Sequence, residues 1–173
     1  MGKKIVALGA SSAKNSMNKA LATYAAGLVE NGEVLVLDLN DYPLPLYSID
    51  LEMESGIPEA AKKLLSEIQS ADGLVISFAE HNGAYSTAFK NAFDWMSRID
   101  GKLWADIPMV LLATSPGARG GATVLEIAKG RFPYMGGNII GSLSVPSWGE
   151  NFKDGAIVNP GIQAELVDIT SKL

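Results

Sequence analysis

The chain contains no cysteine and a single histidine, His81, among its 173 residues. The first absence removes disulfides, thiolate nucleophiles and thiolate metal sites. The second removes any centre that needs two imidazoles, and no metal site is expected. Basic residues are in deficit, 14 Lys and Arg against 19 Asp and Glu. The net charge of −5, with no basic tract, argues against nucleic acid as a partner. No apolar run approaches the roughly 20 residues that cross a bilayer. Met1-Gly2-Lys3-Lys4 leads into a run too short for a signal peptide, and Val6 stands where a myristoylation context needs Ser or Thr. A cytoplasmic protein with no membrane contact is expected. Internal repeats, low-complexity linkers, the Gly-x-x-x-x-Gly-Lys-Ser/Thr loop and the hydrolase nucleophile elbow are all missing.

What remains is an ordinary globular composition, 47% hydrophobic and 19% charged, which fits one domain over residues 1–173. Five apolar runs alternate with helical patterns. Ile5–Leu8 and Val34–Leu37 read as buried strands, and Leu74–Phe78, Met109–Ala113 and Ile139–Leu143 as the third, fourth and fifth strands. Helical spacing joins Met17, Leu21, Tyr24 and Leu28, with a stop at Asn31-Gly32. The same spacing joins Ala61, Leu64, Leu65 and Ile68, then Phe89, Ala92, Phe93 and Met96. Two further helices are expected, around Val124–Ala128 and over 162–173. Between Asp41 and Leu46 two prolines require an extended connection. This order predicts an α/β, three-layer sandwich around a five-stranded parallel sheet in the order 2-1-3-4-5.

Such a sheet takes its ligand at the carboxyl ends of the strands, where strands one and three diverge. Three polar loops open there. The first supplies Ser11, Ser16, Met17 and Asn18 together with the N–H groups of the following helix, a setting for a phosphate. Lys14 adds charge, and Ser16 also suits a helix cap. Without the fingerprint glycines, Asp38 reads as an ordinary polar strand end. The second loop offers Glu80, His81, Asn82 and Gly83, the third Ser115, Gly117, Gly120 and Gly121. Arg119 in the third loop faces either solvent or a substrate phosphate. Hydroxyls, amides and free backbone suit a phosphorylated planar ligand such as a flavin better than a metal or a catalytic triad.

The string Glu80-His81-Asn82-Gly83, followed by Phe89 and Lys90-Asn91-Ala92-Phe93-Asp94-Trp95, resembles the NADPH-dependent FMN reductase family. The family pattern there is Pro-Glu-Tyr-Asn, then Leu-Lys-Asn-Ala-Ile-Asp-Trp. The resemblance implies a flavodoxin-like fold and one FMN per subunit, with Ser11, Ser16 and Asn18 on its phosphate. It places Glu80 to Gly83 and Ser115 to Gly121 around the ring. It further implies that no side chain performs the chemistry, that NADPH or NADH is co-substrate, and that a quinone, an azo compound or free flavin is the acceptor. Lys90, Asn91, Asp94 and Trp95 would build the helix and a subunit contact in a homodimer or homotetramer. The alternative is a flavodoxin-type electron carrier without nicotinamide activity, although the first loop lacks the Thr-Gly pattern of carriers. Ala13, Ala79 and His81 stand where the family has arginine, proline and tyrosine. Loss of the arginine removes a charge-assisted hydrogen bond of about 1.5–3 kcal/mol, which implies looser retention of FMN.

Overall fold

The computed structural model describes residues 2–173. Strand β1 (Lys3–Ala10) runs into helix α1 (Met17–Ala26), followed by β2 (Gly32–Asp38). A short 3-10 turn and the proline-bearing connection precede α2 (Ile49–Ser55) and α3 (Glu59–Gln69). Then come β3 (Gly73–Phe78), the two-residue strands β4 (Glu80–His81) and β5 (Ala84–Tyr85), and α4 (Thr87–Ile99). Strand β6 (Pro108–Thr114), α5 (Ala122–Arg131) and β7 (Asn138–Val145) complete the main sheet. Helix α6 (Trp148–Asn151), a hairpin of β8 (Phe152–Lys153) and β9 (Ala156–Ile157), and α7 (Pro160–Thr170) follow.

The main sheet has the order β2-β1-β3-β6-β7 with every pair parallel, so its strands stand 2-1-3-4-5 in chain order, the flavodoxin-like arrangement. Period-two alternation divides each central strand between two cores. Ile5, Ala7, Val75, Val110 and Leu112 pack with α1 and α7. Val6, Leu8, Leu74, Ile76 and Leu111 pack with α3, α4 and α5. That double burial is why three of the strands read as unbroken apolar runs. Strand β2 lies at the edge, as the predicted order requires, but it is not buried on both faces as its apolar run suggested: Val34 and Val36 are 39% and 41% exposed. An apolar run is compatible with such an edge because β-branched residues favour the extended backbone even when half covered.

Gly9 sets the height of α1 over the sheet. A Cβ there would lie 2.5 Å from the Cα and N of Lys19, so any other residue would push the helix away from β1. Lys19 also pairs with Asp38 at the end of β2, and Asp38 accepts from the N–H of Asn40. Burial pushes the Asp38 carboxyl up, but the bonds from Lys19 and Asn40 outweigh it and hold the group below its ordinary value. Asp38 is therefore a junction between helix, strand and turn rather than a plain strand end.

Helix α2 escapes sequence pattern analysis because none of its residues is buried; its start is fixed by Ser48, which accepts from Leu51 N–H. The connection before it is extended as expected and is pinned to α4. Asn91 accepts from Tyr47 N–H and donates to the carbonyl of Pro45, and the Trp95 indole donates to the same carbonyl at 2.8 Å. Trp95 is fully buried, so the expected subunit contact through its side chain does not hold; it builds the wall on which the connection rests.

The strongest polar tie in the fold is Asn18, in the first turn of α1 and 3% exposed. Its Oδ1 accepts from Ser77 Oγ at 2.7 Å and from Thr114 N–H at 3.1 Å, and its Nδ2 donates to the Thr114 carbonyl at 3.2 Å. Asn18→Ala leaves the Thr114 N–H and carbonyl and the Ser77 hydroxyl unpaired in a dry site. The expected destabilisation is about 2–4 kcal/mol, read as a lower urea midpoint with an unchanged slope.

Candidate functional site

The three polar loops do converge at the carboxyl edge of β1, β3 and β6, and side chains stitch them together. Ser86, the cap of α4, accepts from Phe89 N–H and donates to the Ala10 carbonyl at 2.9 Å, joining the second loop to the end of β1. Asn18 joins the first helix to β3 and β6. Its Oδ1 is taken twice and its Nδ2 once by these bonds, so one Nδ2 proton is left for the phosphate role that the sequence suggested. Such a buried amide has the same sequence signature as a ligand-binding one.

Ser11 and Ser16 fit that role. Ser11 Oγ accepts from Ala13 N–H and Ser16 Oγ from Lys19 N–H, both at 3.1 Å. Each hydroxyl therefore keeps its proton free to donate to an anion. They lie at the N-terminus of α1, where first-turn N–H groups such as those of Met17 and Asn18 have no intrahelical acceptor and the dipole favours negative charge. Lys14 is exposed beside them.

The second loop is a two-residue hairpin. Glu80 pairs with Tyr85 and His81 with Ala84, and the turn is Asn82-Gly83 with φ of 52° and 74°. Asn-Gly is the pair that such a left-handed turn prefers, so both residue types answer a backbone requirement. His81 stands exposed near its tip. Glu80 serves the structure instead, because its Oε2 accepts from Val124 N–H at 2.9 Å. Helix α5 begins at Gly121, which is in the left-handed region and has no side chain to cap the helix. The Glu80 carboxylate supplies that cap from another loop, and its charge suits the positive end of the helix. One oxygen of the carboxylate is thus spent on α5. Tyr85 packs against Phe78 and Phe89 and buries a hydroxyl without a partner. Burial pushes it up to about 12, against the opposing effect of Arg131, so it stays protonated at neutral pH.

In the third loop the carbonyls of Ser115 and Gly117 are taken by Trp148 N–H at 3.1 Å and Ser147 N–H at 2.9 Å. These two carbonyls are therefore used toward the segment after β7, while inside the loop Gly120 N–H donates to the Gly117 carbonyl at 3.2 Å. Gly120 and Gly121 both have positive φ, and a Cβ on Gly120 would meet the Val145 backbone at 2.7 Å; these glycines let the loop fold tightly against β7. Arg119 is exposed and donates to Thr123 Oγ1 at 3.0 Å. Taken together, the site offers two free hydroxyls, a helix N-terminus and two further loops at the same sheet edge, with few titratable groups. It can hold a phosphate and a planar heterocycle, and among the described residues it contains no acid–base pair or activated nucleophile.

The family model for NADPH-dependent FMN reductase matches residues 3–150. A quinone reductase of Escherichia coli (strain K12) is 38% identical over 79 residues, 46% of this chain and 42% of that protein, so the match spans less than half of the relative's length. A 2-hydroxy-1,4-benzoquinone reductase of Burkholderia sp. is 36% identical over 137 residues, covering 78% of this chain and 73% of that one. The solved structure of FerB, a flavoenzyme NAD(P)H:(acceptor) oxidoreductase from Paracoccus denitrificans, superposes with a TM-score of 0.79 at 26% identity. It covers 98% of this chain and 94% of its own.

Removal of the borrowed cap has a definite cost. Glu80→Ala is expected to lower stability by about 1–2 kcal/mol, with faster amide exchange in the first turn of α5. Glu80→Gln keeps an acceptor and should recover most of that loss; equal exchange in all three proteins would remove the cap assignment.

Proposed function

The chain belongs to the NADPH-dependent FMN reductase family, and from that premise we propose that residues 1–173 form one FMN-binding oxidoreductase domain that uses NADPH or NADH. The observation that carries the reading is the pair of buried serines whose hydroxyls accept from backbone and keep their protons for an anion. Ser11, Ser16 and the first-turn N–H groups of α1 would hold the phosphate. The hairpin 80–85 and the N–H groups of the third loop would border the ring. When bound, FMN supplies the electron relay from a nicotinamide to a second substrate. The protein's part would be to fix the phosphate with the Ser11 and Ser16 hydroxyls and the start of α1, and to border the ring with the backbone of the other two loops. The quinone reductase activities of the relatives support a quinone as acceptor. They also favour an enzyme over a flavodoxin-type carrier.

No helix among the described residues is long and apolar enough to cross a membrane, and we place the protein in the cytoplasm as a homodimer. The subunit contact that fits is the connection and α2, where Leu46, Ile49 and Met53 are 75%, 51% and 80% exposed. Asn91 and Trp95 hold the backbone on either side of Leu46, so its side chain is presented outward at little further entropic cost. Leu46→Glu with Met53→Glu is expected to halve the mass measured by light scattering; an unchanged mass would exclude this face.

Anaerobic addition of NADPH, then NADH, to the FMN-loaded protein tests the activity directly: rapid bleaching of the flavin band is expected. Bound flavin that stays oxidised with both would return the electron-carrier reading. Ser16→Asp keeps an excellent helix cap but sets a carboxylate against the phosphate. Its expected effect is loss of FMN affinity by at least about a hundredfold with stability nearly unchanged; undiminished affinity would remove the phosphate assignment.

A further inference from the structure

Beside the first loop, on the outer face of α1, lies an open groove of about 720 Å³. It begins at Ser16 and Met17 of the first loop, but its walls run from there down the helix as far as Thr23 and Tyr24 and across to Val36 on β2, and no residue of the second or third loop lines it. The opposite wall is aromatic. Trp148 and Phe152 stack with ring centroids 4.1 Å apart, and Tyr24 meets Phe152 edge-on at 5.8 Å. None of these rings is fully buried, and Val36 is 41% exposed. An aromatic cluster beside exposed aliphatic surface, in a concave setting, is the kind of apolar area that marks a ligand site.

The wall is held rigidly. Ser147, a non-glycine residue, sits in the left-handed region with φ of 45°, which disfavours an ordinary side chain. Hydrogen bonds from Ser147 and Trp148 N–H to the third loop fix that geometry. The Tyr24 hydroxyl is committed to Gln163 at 2.6 Å, which fixes the second ring.

The electrostatics select the ligand's charge. Of the charged residues that line the groove, Lys19 and Asp38 neutralise one another, and Lys14 makes no ion pair among the described residues. One cation without a side-chain partner therefore stands at the first-loop end of an aromatic slot.

We propose that this groove is a second small-molecule site, adjoining the first loop but away from the second and third loops that border the ring, for a planar aromatic ring that carries an anionic substituent. The ring lies against the Trp148–Phe152 wall, and the anion is directed to Lys14. A phosphorylated purine and an aromatic sulfonate or carboxylate share this chemistry. The proposal needs only the groove and does not depend on the oxidoreductase reading.

Tryptophan emission provides a local readout, because Trp95 and Trp104 are fully buried and Trp148 is the remaining one of the chain's three. FMN-loaded protein is titrated with adenosine 2′,5′-bisphosphate and, separately, with naphthalene-2-sulfonate, by calorimetry and by emission. Saturable binding of at least one probe is expected, with a dissociation constant below about 1 mM, a change in Trp148 emission and retention of FMN. Which probe binds more tightly identifies the nucleotide or the aromatic-acid source. Thr23→Glu places a carboxylate in the groove and should weaken binding by about tenfold or more; Phe152→Ala, which removes the platform, should do likewise. Neither residue belongs to the flavin edge, so FMN content should be unchanged in both variants. The proposal fails if neither probe saturates, if both variants bind like the parent protein, or if probe binding expels FMN, since the groove would then belong to the flavin site.

Discussion

Everything at the carboxyl edge of the sheet depends on one buried side-chain amide. Asn18 occupies both its acceptor positions and one of its donors with Ser77 and Thr114, so the start of α1 cannot move independently of β3 or β6. Gly9 permits the contact by letting the helix lie directly on β1. In an environment of low dielectric these bonds are strong, and leaving any of them unmade is costly. The N-terminus of α1 is thereby placed at a fixed height over the point where the strands diverge. An anion site made from that helix end inherits the rigidity of the sheet.

The loops follow a consistent division of labour. Two side chains that look like ligands make structural bonds, Asn18 to two strands and Glu80 to α5, while Ser86 ties α4 to β1. The groups left over are two serine protons, one Asn18 Nδ2 proton and backbone N–H donors. That inventory suits a cofactor that brings its own reactivity, because it positions and polarises without supplying an acid, a base or a nucleophile. It also explains how the lone histidine can stand exposed in the second loop, since nothing in that chemistry calls for an imidazole.

Much of the fold was legible because the main-sheet strands and longer helices advertise themselves through double burial or helical periodicity. Three features were not. The exposure of strand β2 was hidden behind the composition of a buried strand, since β propensity does not distinguish the two. Helix α2 buries nothing and so has no periodic signature. The hairpins β4–β5 and β8–β9 are too short for pattern, although Asn82-Gly83 carried the turn in its residue types. At the site, the positions of all three loops followed from topology alone. The roles of Asn18 and Glu80 did not, because whether an amide or carboxylate faces a ligand or a neighbouring loop is a matter of three-dimensional pairing that spacing along the chain leaves open.

The sequence distances closed by Asn18 carry a consequence for biosynthesis. Its partners lie 59 and 96 positions further along the chain. A growing polypeptide that has formed β1, α1 and even β3 still lacks both bonds to Thr114, and contacts of such separation are the slowest to repay their loop-closure entropy. The pocket edge therefore comes into existence only when β6 docks, late in the history of the chain. A ligand held there stabilises the finished sheet alone and can give no help to the partly folded chain that precedes it.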